Sequence, residues 1–98
     1  MTTASYVRRL LERAVTVLPV SDEEIILKGI TNETVERIVC LKKVTLRLQI
    51  SYGSLEALEQ RVKTEGVSPN DHTLYTDLLE WRAIRHEMAE LVSLLEAV

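Results

Sequence analysis

The nine residues Lys42-Lys43-Val44-Thr45-Leu46-Arg47-Leu48-Gln49-Ile50, KKVTLRLQI, decide the fold of this chain. From Val44 to Ile50 apolar and polar residues alternate, which is the pattern of a half-buried strand. As a strand, the stretch points Val44, Leu46, Leu48 and Ile50 at a core and Thr45, Arg47 and Gln49 outward. As part of a helix, it extends a second pattern. Ile38, Leu41, Thr45, Leu48, Tyr52, Leu55 and Leu58 recur at spacings of three and four, with Thr45 the one weak member. Val35, Val39, Leu46 and Ile50 form a flanking stripe, so the helix is apolar over much of its circumference and is expected to be buried on two sides. The helix accounts for more residues than the strand. The predicted fold is therefore all-α, a small helical hairpin or bundle in one domain over residues 1–98.

The strand keeps a functional alternative in view. Followed by SLEALEQRVKTEGVS, it would resemble a ribbon-helix-helix DNA-binding module, in which Thr45, Arg47 and Gln49 read base edges in the major groove. That resemblance implies a dimer joined through the strand. The strand of such modules normally lies near the N-terminus, whereas here some forty residues precede it, and the last helix is long for the family.

Outward from this stretch, the punctuation falls at helix ends. A first helix is predicted from about Thr3 to Val17, with Pro19 disfavouring helix at Leu18. Ser21-Asp22-Glu23-Glu24 has capping-box spacing and opens a short helix through Lys28, closed by Gly29. The next helix begins near Asn32 and runs to Tyr52, where Gly53 ends it. Ser54 caps Leu55–Glu65, and Gly66 closes that helix. Ser68-Pro69-Asn70-Asp71 combines a cap, a proline at the first helical position and an early acid. From there Leu74, Leu78, Trp81, Ile84, Met88, Leu91, Leu95 and Val98 form the most regular stripe in the chain. The hairpin is expected to pair the Asn32–Tyr52 and Pro69–Val98 helices, with Leu55–Glu65 turning the chain between them.

Composition narrows the chemistry. Apolar residues make up 46% of the chain, but there is no Phe and one Trp, so the core must be built from Leu, Val and Ile. The net charge of −3 argues against general nucleic-acid binding; DNA remains a less favoured partner. Cys40 is the single cysteine, which excludes an intramolecular disulfide and reads as a small buried hydrophobe. Cys40, His72 and His86 lack metal-ligand spacing, and His86–Glu90 lacks the second histidine of the zinc-protease helix. No glycine loop cradles a phosphate. No enzyme activity, cofactor or metal is expected. Paired arginines interrupt the apolar N-terminal run, and no run approaches a membrane span, so the expectation is a soluble, cytoplasmic protein.

One block carries a resemblance. Tyr52-Gly53-Ser54-Leu55-Glu56 with Leu58, then Asp71-His72, then Tyr75, Asp77, Glu80 and Trp81 resembles the C-terminal half of a loose group of small helical prokaryotic proteins common in archaea. Many of them are regarded as antitoxin-like partners of a small toxin encoded beside them. The resemblance spans about residues 50–95 and carries no catalytic residues. It implies a non-enzymatic protein-binding module that lays an amphipathic helix into a toxin's groove. The partner-binding residues would be Tyr75, Leu79, Glu80, Trp81 and Arg82. Trp81 lies in the middle of its stripe, where core packing is the default; left uncovered, it would be the anchor. Asp77 and Glu80 are a solvated shoulder of the same helix or an acidic edge for a basic partner. The surplus apolar surface points to a homodimer or a hetero-complex, and a purely structural homo-oligomer fits the same helices.

Overall fold

Side-chain caps open three of the helices in the computed structural model, which describes residues 2–97. The Thr2 hydroxyl accepts from the Ser5 N–H at 3.2 Å and starts α1 (Thr3–Val17). Leu18, the residue before Pro19, is extended and ends it. The Ser21 hydroxyl accepts from the Glu24 N–H at 3.1 Å at the start of α2 (Asp22–Tyr52). Ser54 accepts from the Ala57 N–H at 3.0 Å and opens α3 (Leu55–Glu65). Gly53 and Gly66, at φ of 88° and 71°, hold the left-handed turns that stop α2 and α3. The last helix, α4, runs Thr73–Glu96.

KKVTLRLQI lies inside α2, and no strand occurs among the described residues. The ribbon reading of 44–50 is thereby overturned. Its physical reason is visible in the burial: Leu41 and Leu48, seven apart, are buried, while Leu46 is 57% and Ile50 78% exposed. A strand would have placed Leu46, Leu48 and Ile50 on one side. The helical period wins because only one of the stripes meets the rest of the fold.

Two boundaries differ from the sequence reading. Gly29 does not end a helix; α2 is continuous for 31 residues through it. Its φ is not positive, and no proline follows to stop propagation through Ile30 and Thr31. Pro69 does not begin α4 either. The Ser68 hydroxyl accepts from the Asn70 N–H, and Asp71 Oδ1 accepts from the Thr73 N–H at 2.9 Å. Those side chains thus fold a turn instead of capping a helix. Val98, the last member of the predicted stripe, lies outside the described residues.

The chain falls into two compact units, Met1–Glu33 and Thr34–Val98. In the second, Leu41 and Leu48 from α2, Leu55 and Leu58 from α3, and Leu78, Trp81 and Ile84 from α4 form one buried cluster. Val44, Tyr52, Val62, Leu74, Met88 and Leu91 pack around it. Cross-helix pairs give the directions. Arg37 meets Glu87, Arg47 meets Glu80 and Tyr52 meets Asp77, so α4 runs antiparallel to α2. Glu56 with Arg85 and Glu59 with Arg82 set α3 antiparallel to α4 as well. In the first unit, α1 and the start of α2 have no buried residue among those described; Leu11, Ala14, Val15 and Ile25 are half-buried.

Glycine chemistry gives a first prediction. A Cβ at Gly29 would meet nothing within 4 Å, so Gly29→Ala should stabilise the chain by about 0.5–1 kcal/mol. Gly53→Ala has equal space but a left-handed backbone, and should cost about 1–2 kcal/mol. Urea midpoints of the two variants should move in opposite directions. Trp81→Ala, at 4% exposure in so small a core, should cost about 3–5 kcal/mol and remove cooperative urea unfolding, while Leu79→Ala on the outer face should change little.

Candidate protein-interaction surface

At 100° per residue, Val35, Val39, Leu46 and Ile50 fall within an arc of roughly 60° on α2. That arc lies opposite the stripe of Ile38, Leu41, Leu48 and Tyr52. The sequence already shows both stripes, but the second is not covered: all four of its residues are exposed. Lys42 and Lys43 border it, one on each side, and neither makes an ion pair among the described residues. An apolar strip flanked by unneutralised ammonium groups is the most distinctive open surface of the second unit.

The set Tyr75, Leu79, Glu80, Trp81 and Arg82 divides on folding. Tyr75 and Leu79, one turn apart, are 40% and 46% exposed and face away from the core. Trp81 is core, which is where its mid-stripe position put it by default, and its ring is not a surface anchor in this structure. The acidic shoulder is used within the fold. Glu80 Oε1 accepts from Arg47 at 3.4 Å, and Asp77 Oδ2 accepts from the Tyr52 hydroxyl at 2.5 Å. Arg82 reaches back to Glu59 at 3.4 Å.

Thr45, Arg47 and Gln49, proposed as base readers on a strand, are spread around a helix instead. Thr45 and Gln49 line a cleft beside Leu55 and Trp81, and Arg47 is the partner of Glu80. Cys40 is exposed, not the buried hydrophobe its residue type suggests, because it sits on the outer side of α2. His86 Nε2 lies 3.1 Å from Glu90, and no group of three potential metal ligands occurs among the described residues.

A cleft of about 400 Å³ at the end of α3 is lined by Tyr52, Arg61, Glu65, Asp71, Thr73 and Leu74 among others. Its charges are already matched. Arg61 donates to Glu65 at 2.9 Å and stands 5.8 Å from the centre of the Tyr52 ring. Asp71 is held below the usual carboxylate range by hydrogen bonds from Thr73. The Tyr52 hydroxyl is pushed above its ordinary value, first by its hydrogen bond to Asp77 and then by burial. Arg37 Nε and Nη2 donate to the two oxygens of Glu87 at 2.7 and 3.1 Å, which lowers the Glu87 carboxyl. Tyr52–Asp77 and Arg37–Glu87 tie helices together, and neither was visible in the sequence, since partners 25 or 50 residues apart share no local pattern. Arg61–Glu65, four residues apart, lies within α3.

No protein-family model, curated protein or solved structure matches this chain. No helix among the described residues is long and apolar enough to cross a membrane.

The Tyr52–Asp77 bond carries a pH signature. A tyrosine raised in the folded state stabilises it fully below the unfolded value of 10.0, and that contribution is lost as pH rises through the folded value. Tyr52→Phe should therefore cost about 1–2 kcal/mol near neutrality. Its deficit relative to wild type should shrink above pH 10, in denaturant titrations run across that range.

Proposed function

We propose that the chain is a non-enzymatic protein-binding module of the antitoxin type, which sequesters a small toxin by seating a segment of it along the outer stripe of α2. The observation that carries this reading is the exposed row of Val35, Val39, Leu46 and Ile50 between Lys42 and Lys43. Its repeat of four, seven and four residues is the spacing of a seam for a second helix. A complementary helix would present apolar residues to the row and carboxylates to the two lysines. Tyr75 and Leu79 on α4 are the second contact, on a separate face of the same unit. The antitoxin assignment itself is supported by the resemblance of the Tyr52–Trp81 block.

A homo-oligomer through this same row is the weaker reading, for an electrostatic reason. Antiparallel self-pairing would set Val35 on Ile50 and Val39 on Leu46, but it would also set Lys42 on Lys43 of the other copy. Like charges face to face are unfavourable. Burial of the row therefore suits a different, acidic helix.

The test pairs wild type with Val39→Asp/Leu46→Asp. Both residues are exposed, so the double variant should keep its helical circular dichroism and its urea midpoint. Pulled from lysate of the native host, wild type should retain one small protein in equal amount, and the variant should lose it. Expressed alone, that protein should arrest growth; co-expression of wild type, and not of the variant, should restore it. Retention by the variant would eliminate the α2 row. A captured protein that is harmless alone would eliminate the antitoxin assignment while leaving the binding surface.

A further inference from the structure

We infer that the cleft between α2, α3 and α4 is a binding site for a small neutral carbonyl compound, an amide or an ester, whose oxygen accepts from the Trp81 indole N–H. The site is distinct from the α2 row and stands whether or not the toxin reading does.

A missing hydrogen bond marks the site. A buried indole normally finds an acceptor for its N–H. Trp81 is only 4% exposed, yet its side chain makes no hydrogen bond among the described residues. No buried side-chain nitrogen or oxygen is sealed without a partner there, so the indole N–H must reach open space. The open space that Trp81 borders is a cleft of about 250 Å³, walled by α2, the start of α3 and α4. Leu55, Ile84 and Met88 make it apolar beside the ring. Thr45 is the small, weak member of the inner α2 stripe, and a larger apolar residue at its position would fill this space. It is half-buried and brings a second hydroxyl donor that is likewise unbonded. The Ser54 hydroxyl, by contrast, is committed to capping α3.

Charge and size select the class of ligand. Arg85 Nη1 lies 3.2 Å from Glu56 Oε1, and this pair holds the only charges that line the cleft. The two cancel. A cation would face Arg85 and an anion would face Glu56, with no uncompensated opposite charge to offset either encounter. A neutral ligand meets no such repulsion. The indole nitrogen can only donate, so the ligand must bring an acceptor, and a carbonyl oxygen can accept from Trp81 and Thr45 together. The volume holds roughly eight water-sized groups. That is below the range of drug-sized sites and suits one carbonyl with a short aliphatic tail over Leu55 and Ile84.

Trp81 is the one tryptophan, so its emission reads this cleft directly. The full chain titrated with hexanamide, a neutral carbonyl compound of about eight non-hydrogen atoms, should show a saturating change in emission. Its dissociation constant should be on the order of 1 mM. Hexylammonium and hexanoate should bind at least about ten-fold more weakly. In proton–nitrogen correlation spectra the Trp81 indole peak should move downfield as hexanamide binds, as for an N–H that gains an acceptor. Thr45→Val keeps the shape and removes the hydroxyl, and should weaken hexanamide about five-fold or more with helical circular dichroism unchanged. The wild-type indole peak decides the matter if that variant disturbs folding. Val39→Asp/Leu46→Asp should bind hexanamide as wild type does, which separates this site from the α2 row. An unsaturating response, equal binding of hexylammonium, a stationary indole peak or undiminished binding by folded Thr45→Val would each overturn the inference.

Discussion

Trp81 sits in a cluster of leucines drawn from three helices, and the position of every other element in the second unit follows from that packing. The indole is the one tryptophan of a chain without phenylalanine, and it is buried where Tyr52 packs only at the edge. Once it is buried beside Leu78 and Ile84, α4 must turn that face toward α2 and α3. The inner stripe of α2 then has one place to go, and its other side is left outside. A small interior of this kind excludes water over a limited area, so each buried leucine carries a large share of a modest stability.

Around this core the charges act as alignment. Arg37 and Arg47 on α2 reach Glu87 and Glu80 on α4, and Arg82 and Arg85 on α4 reach Glu59 and Glu56 on α3. Each pair is solvent-exposed and individually weak. Together they disfavour slippage of α4 by a turn along its neighbours, which the apolar stripes alone would tolerate. Arg61 pairs with Glu65 within α3, and Arg37, Arg47, Arg82 and Arg85 are used in this way. Lys42 and Lys43 are not, and their freedom is what gives the open row of α2 a chemical preference beyond greasiness.

The chain therefore divides its apolar surface three ways: an inner stripe for its own core, an outer row on α2 bordered by lysines, and an exposed row of Tyr6, Leu10 and Val17 on α1.

The sequence by itself determined the helices and most of their ends. Ser54 capping α3, Gly53 and Gly66 closing α2 and α3, and Pro19 stopping α1 act through neighbours a few residues away, so local pattern is enough to reveal them. It also showed both stripes of α2 and the continuous stripe of α4. It misjudged Gly29 and Pro69, because a glycine stops a helix only if the backbone turns left-handed there, and a proline begins one only if the turn around it does not close first. What only the tertiary structure decided was which stripe is covered. Burial depends on a partner surface far along the chain, and Trp81 became core, with Leu46 and Ile50 left outside, because α4 could satisfy only one side of α2. The same holds for Glu80, Asp77 and Arg82, whose partners lie on other helices and are chosen by the packing, not by spacing.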